Sequence, residues 1–134
     1  MKHKSSADMV QEANARIENL SVEQTAVEYE NEDTLIVDLR ESEERNQLDA
    51  IPGSMSVPRG LLEFWADPAS AIHKKEFKFD RRVILHCASG GRSALAADVL
   101  QQMGFSNVAH IDTGFNGWKE AGHPIEKLDM WFNS

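Results

Sequence analysis

Cys87 is the only cysteine in a chain of 134 residues, and it opens the run Cys87-Ala88-Ser89-Gly90-Gly91-Arg92-Ser93. A lone thiol cannot build a disulfide framework or a multi-cysteine metal site, so it is either a buried structural residue or a reactive one. Its surroundings favour reactivity. Two adjacent glycines let the backbone take restricted conformations in which several N–H groups turn toward one centre. A helical pattern follows at once, with Leu95, Ala96, Val99, Leu100 and Met103 on one face. The start of that helix adds unpaired N–H groups and the positive end of its dipole. Arg92 contributes a permanent cation. A cradle of this kind favours thiolate, the nucleophilic form, over a thiol whose ordinary pKa is about 8.5. It also suits a persulfide, whose terminal sulfur is small and anionic. Cys87 and Arg92 therefore read as the catalytic pair, with Ala88, Ser89, Gly90 and Gly91 as the cradle around the substrate. No metal and no organic cofactor is expected, because displacement at sulfur needs neither.

Such a loop must be carried by a strand. Arg82-Val83-Ile84-Leu85-His86, directly before it, is a short apolar run of the type buried on both faces of a parallel sheet, and Leu35-Ile36-Val37-Asp38-Leu39 repeats the pattern. Met55 to Val57 and Asn107 to Ile111 add brief strands. Helical segments alternate with them: a weakly amphipathic one from Ala7 to about Asn19, and a second begun by the capping box Ser21-Val22-Glu23-Gln24 and running to about Glu30. Further helices are expected over Glu41 to Leu48, after Pro58, over Ser93 to Met103 with Gly104 as the stop, and over Gly114 to Glu120. The alternation predicts an α/β domain with a mainly parallel sheet. In such sheets ligands bind beyond the carboxyl ends of the strands, which is where Cys87 lies, and Asp38 and Arg40 with it.

Composition narrows the function classes. Hydrophobic residues make up 41% and charged residues 27%, as in an ordinary folded domain, and the length suits a single hydrophobic core. The net charge of −8, with no basic cluster to offset it, repels phosphate backbones and argues against a nucleic-acid partner. The longest apolar stretches are a few residues, far short of the roughly 20 a membrane span requires. The polar start lacks the apolar region of a secretory signal, so no membrane association and a cytoplasmic location are expected.

Four segments carry a resemblance to a known family: Val37-Asp38-Leu39-Arg40-Glu41, Ile51-Pro52-Gly53-Ser54, the C-x-x-G-x-R loop from Cys87 to Arg92, and Gly114-Phe115-Asn116-Gly117-Trp118. In this order they resemble the rhodanese-like sulfurtransferases, over about Leu20 to Pro124. The resemblance implies a single domain with a five-stranded, mainly parallel sheet and helices on both faces. It implies a sulfurtransferase that takes a sulfane sulfur from thiosulfate or a related donor as a Cys87 persulfide. Cyanide, a thiol, thioredoxin or another sulfur-acceptor protein would receive it. Residues 1–19 then form an N-terminal helical extension, 20–125 the rhodanese-like domain, and 126–134 a C-terminal tail without a clear signal. The resemblance further implies that Asp38 braces the cysteine loop through its N–H groups or through Arg92, with Arg40 in support. The competing role for Asp38 is a plain helix cap. Relatives often carry Gly-His before the Ile-Pro-Gly; Asp49-Ala50 stand here and are assigned no function.

The remaining polar and aromatic residues have ordinary readings. His86 precedes the nucleophile on an extended backbone, so its side chain points to the opposite face and a direct proton relay is not expected. His73, His110 and His123 share no ligand spacing and read as solvated or hydrogen-bonded histidines. Glu41, Glu43 and Glu44 read as a solvated first helical turn, and Phe115 and Trp118 as core. Two rival functions stay open. Cysteine-dependent phosphatases have a similar loop, but place five residues between cysteine and arginine where this chain has four, Ala88 to Gly91. A non-catalytic binding module of the same fold is opposed by the intact Cys87 and Arg92.

Overall fold

The computed structural model describes residues 3–128. Its strands are β1 (Glu18–Leu20), β2 (Leu35–Asp38), β3 (Met55–Ser56), β4 (Val83–His86) and β5 (Val108–Ile111). They form one five-stranded sheet in the order β1-β5-β4-β2-β3, every pair parallel. The three central strands β2, β4 and β5 are buried at every position, which is why their sequences are continuous apolar runs.

The period-2 alternation of the strands divides the core in two. Leu35, Val37, Val83, Leu85 and Val108 face one side and pack against Leu62, Ala66, Ala96, Ala97 and Leu100. Ile36, Ile84, Ala109 and Ile111 face the other and pack against Val22, Phe115 and Trp118. Helices α4 (Leu62–Ala66) and α5 (Gly91–Gln102) supply the first side, and α2 (Val22–Tyr29) and α6 (Gly114–Glu120) the second. Each fully buried Val, Leu, Ile or Phe contributes about 1.5–3 kcal/mol, so two such layers hold the central strands firmly. The expected single α/β domain with helices on both faces is present. Helix α3 (Ser42–Leu48) and a 3-10 turn at Arg59–Leu61 complete the described elements between α1 (Ser6–Arg16) and α6.

The amino-terminal segment departs from expectation. The helix expected to reach about Asn19 ends at Arg16, Ile17 is extended, and Glu18–Leu20 becomes the edge strand β1. Pairing with β5 decides the matter: Glu18, Asn19 and Leu20 stand opposite Ala109, His110 and Ile111, and tertiary pairing overrides a weak helical pattern. Helix α1 is nevertheless tied to the domain. Ala13 is buried, the Arg16 guanidinium grips Asp98 of α5 through bonds of 3.0 and 2.6 Å, and Gln101 donates to the Arg16 carbonyl at 3.0 Å. The expected capping box of Ser21 with Gln24 is formed, and Ser5 with Asp8 caps α1 in the same way. The tail begins in contact with the domain, Glu126 and Ala50 exchanging backbone hydrogen bonds of 2.8 and 2.9 Å; residues 129–134 lie outside the described residues. Among the described residues no helix is long and apolar enough to cross a membrane.

Candidate active site

The Cys87 loop leaves the carboxyl end of β4, the centre of the sheet, and runs straight into α5. Gly90 caps that helix with φ 108°, a left-handed conformation that side chains rarely adopt. A Cβ there would also collide with the Asp112 carbonyl oxygen, so glycine is required twice over. The outer wall of the loop is fixed by α6. The N–H groups of Phe115 and Asn116 donate to the carbonyls of Cys87 and Ala88, at 2.8 and 3.0 Å. Gly114, at φ 63°, lies so close that a Cβ would meet those same carbonyls at 2.5 to 2.7 Å. With carbonyls bound outward, loop N–H groups are left to face the sulfur. The Gly114-Phe115 pair of the last sequence motif is thus a backbone brace for the cysteine loop.

Cys87 itself is buried, 1% exposed, at the floor of the loop. Gly90 N–H donates to its Sγ at 3.2 Å, and Ser93 Oγ lies 3.6 Å from the sulfur. Burial alone would push the thiol up. The backbone N–H and hydroxyl of Ser93, with the N–H groups of Gly90 and Ser89, outweigh it and hold the thiol below its ordinary value. Arg92, half-buried, follows in the first turn of α5. Its guanidinium forks onto Glu44 of α3 with bonds of 2.7 and 2.9 Å. That pairing, with a smaller attraction from the Cys87 sulfur, holds the arginine firmly protonated.

Two expectations are corrected here. Asp38 neither caps α3 nor touches the cysteine loop through Arg92. Its buried carboxylate binds Arg40 through bonds of 3.1 and 2.9 Å, accepts the Arg40 backbone N–H at 3.0 Å, and takes a further bond of 2.8 Å from Arg45. Burial opposes its ionisation, but the bonds from Arg40 and the nearby cations keep it below the usual carboxylate range. The carboxylate that holds Arg92 is Glu44, read from sequence as solvated. The reason is geometric: α3 starts at the same sheet edge as the loop, and its first turn points a glutamate at Arg92. Asp38 supports the loop only at one remove. The Arg40 guanidinium sits 4.1 Å over the Phe115 ring, and Phe115 is the residue whose N–H holds the Cys87 carbonyl.

The histidines divide. His86 is buried and kept neutral, chiefly by burial; its Nδ1 donates to the Cys87 carbonyl at 3.3 Å and its ring does not reach the sulfur. His110 is different. Its Nδ1 lies 2.8 Å from Ser93 Oγ and its Nε2 2.7 Å from Asn19 Oδ1, so it stands directly behind the residue that touches Cys87. From sequence, Ser93 and Asn19 have no role, Glu44 reads as solvated, and His110 as solvated or hydrogen-bonded. The signal available for Ser93 was its place one residue after Arg92, and for His110 its place at the carboxyl end of β5.

Sheet, loop and buried sulfur together define an α/β domain that carries a buried cysteine on the loop between β4 and α5. A model of the rhodanese-like domain matches residues 21–121. A sulfurtransferase of Allochromatium vinosum is 33% identical over 96 residues, covering 72% of this chain and 81% of its own. A thiosulfate sulfurtransferase, GlpE, of Pseudoalteromonas translucida is 33% identical over 103 residues, covering 77% of this chain and 90% of its own. Among solved structures, a Rhodopseudomonas palustris protein of unknown function, described as a possible tyrosine phosphatase, superposes with a TM-score of 0.89 at 42% identity, covering 94% of this chain and 97% of that one. The chain belongs to the rhodanese-like family, and its named relatives are sulfurtransferases.

Proposed function

We propose that the protein is a sulfurtransferase that accepts a sulfane sulfur from thiosulfate or a close analogue onto Cys87 and passes it to a thiol, thioredoxin or another sulfur-acceptor protein. The observation that carries this reading is the buried Cys87 sulfur under the inward N–H of Gly90 and beside Ser93 and Arg92, a site that favours an anionic sulfur. The thiolate attacks the outer sulfur of thiosulfate; a Cys87 S–S bond forms, the donor S–S bond breaks, and sulfite leaves with the electron pair. A nucleophile then takes the terminal sulfur and returns the thiolate. With cyanide as acceptor the product is thiocyanate. Because one thiol accepts and donates, the kinetics are ping-pong. Displacement at sulfur requires no metal or organic cofactor. A single reduced thiol suits a reducing compartment, and the cytoplasm is the proposed location.

The relative described as a possible tyrosine phosphatase favours a second reading. The loop argues against it. Four residues between Cys87 and Arg92 make a smaller arc than the five of cysteine-dependent phosphatases, one fitted to a single sulfur atom rather than a tetrahedral phosphoryl group. Initial rates with thiosulfate and cyanide, and with an aryl phosphate, decide between them. Wild-type protein is expected to form thiocyanate and Cys87→Ser protein to form none. Faster hydrolysis of the phosphate ester than desulfuration of thiosulfate would put the phosphatase reading first.

A further inference from the structure

Behind the cysteine loop, three polar side chains from three elements form one hydrogen-bonded line. Ser93 of α5 lies 3.6 Å from Cys87 Sγ and 2.8 Å from His110 Nδ1, and His110 Nε2 lies 2.7 Å from Asn19 Oδ1. Ser93 and His110 are buried, at 0% and 1% exposure. The line follows from the fold: Asn19 of β1 stands opposite His110 of β5 in the parallel register, so both side chains share the face on which α5 packs.

The amide of Asn19 fixes the direction of one bond in the line. The Asn19 amide nitrogen donates to the carbonyls of Asn14 and Ile17, at 3.0 and 3.2 Å, so its oxygen is the atom that faces His110. Nε2 must therefore carry a hydrogen. In a neutral ring Nδ1 is then an acceptor, the Ser93 hydroxyl donates to it, and Ser93 oxygen can only accept from a Cys87 thiol. In the charged ring Nδ1–H donates to Ser93, and the Ser93 hydroxyl is free to donate to an anionic sulfur. The neutral ring thus matches a Cys87 thiol and the charged ring an anionic sulfur, with the Gly90 carbonyl, 3.3 Å from Ser93 Oγ, as a competing acceptor for that hydroxyl.

We infer that Ser93, His110 and Asn19 form a proton relay to Cys87, in which His110 is a positioning residue that acts through Ser93 and Asn19 fixes its tautomer. The Cys87 proton moves to Ser93 Oγ as the Ser93 proton moves to His110 Nδ1. No atom is gained or lost; thiol and imidazole become thiolate and imidazolium. This rests on the reading of Cys87 as the sulfur-accepting nucleophile and explains how a buried thiol ionises without releasing its proton to solvent.

The groups that face His110 are Ser93 from α5, Asn19 from β1 and, at the end of its own strand, Asp112. Burial pushes the imidazole below its ordinary value, and the Asp112 charge acts in the opposite direction. An imidazolium in that setting needs an anion nearby, and the Cys87 sulfur at the other end of the relay supplies one.

The test is a pair of titrations on the full chain. Thiolate absorbance near 240 nm gives the midpoint of Cys87, the only thiol, in wild type and in His110→Gln protein; the midpoint is expected to rise by about one pH unit, a tenfold loss of thiolate. Imidazole 15N shifts give the charge of His110 in wild type and in Cys87→Ala protein. The imidazolium is expected to persist to higher pH, again by about one unit, when the sulfur is present. If His110→Gln protein does not fold, Ser93→Ala protein is titrated in its place, since it breaks the same relay. An unmoved His110 titration in Cys87→Ala protein, or an unmoved Cys87 midpoint in a folded relay variant, overturns the inference. Neither titration uses a sulfur donor. Failure of thiosulfate to load Cys87 while both titrations move would sink the sulfurtransferase reading alone, and loading with unmoved titrations would sink the relay alone.

Discussion

Arg92 and Glu44 meet through two parallel bonds, 2.7 and 2.9 Å long, that join the first turn of α5 to the first turn of α3. Both side chains are about a third exposed. A pair in that position adds at most about 1 kcal/mol to stability; it holds the guanidinium near enough to feel the charge of the Cys87 sulfur. Glu44→Gln is accordingly expected to leave the unfolding free energy within about 1 kcal/mol of wild type. Turnover with thiosulfate should fall on the order of 10-fold as the fork loses its anchor. Loss of the nearby negative charge should also lower the Cys87 midpoint. Steady-state rates and thiolate absorbance check both parts; unchanged turnover would show that the fork needs no anchor.

Arg92→Ala removes charge and donors together. It is expected to raise the Cys87 midpoint and to reduce kcat/KM for thiosulfate, with Arg92→Lys recovering only part of the loss because ammonium lacks the planar fork. A Cys87 midpoint in the Arg92→Ala protein equal to or below that of wild type would contradict this role.

Asp38 belongs to the stability of the domain rather than to its chemistry. Its carboxylate and the Arg40 guanidinium are 0% and 1% exposed, and removal of one partner from a buried pair leaves an uncompensated charge. Asp38→Ala is expected to cost about 3–5 kcal/mol in denaturant unfolding. A loss of less than about 1 kcal/mol, the range of exposed pairs, would mean that Arg40 is held by other contacts.

Most of this architecture was legible because the central strands are apolar on both faces and the cysteine loop has a length and composition of its own. Three features were not. Strand β1 is three residues long, and its pairing with β5 is specified by a partner some 90 positions away rather than by any local pattern. Since His110 gains its role from Asn19, missing β1 concealed His110 as well. Glu44 sits among other glutamates, and only the placement of α3 beside the loop distinguishes it from its neighbours. Asp38 was assigned to the correct sheet edge but to the wrong partner, because the distribution of three arginines around two carboxylates is decided by packing.

Acid should weaken the fold in two stages. His86 is buried and titrates below its ordinary value, with burial as the main cause and the Asp38 charge opposing it. A folded pKa below the unfolded one, about 6.5, means that the unfolded chain takes up the proton first. Its stabilisation is therefore present above that pH and declines as pH falls toward the folded value. Asp38, also lowered, adds a further loss below the ordinary carboxylate range. Unfolding free energies between pH 8 and 5 should fall with acid in wild type and fall less in His86→Gln protein. Equal slopes would show that His86 does not carry the first stage.

The central claim is that Cys87 itself carries the transferred sulfur. Intact-mass measurement after incubation with thiosulfate and removal of excess donor tests it most directly. Wild-type protein is expected to gain the mass of one sulfur atom, to lose it again on treatment with cyanide or dithiothreitol, and to gain nothing in the Cys87→Ser form. Wild-type protein that stays at its original mass while thiocyanate accumulates, or Cys87→Ser protein that still gains a sulfur, would contradict the claim.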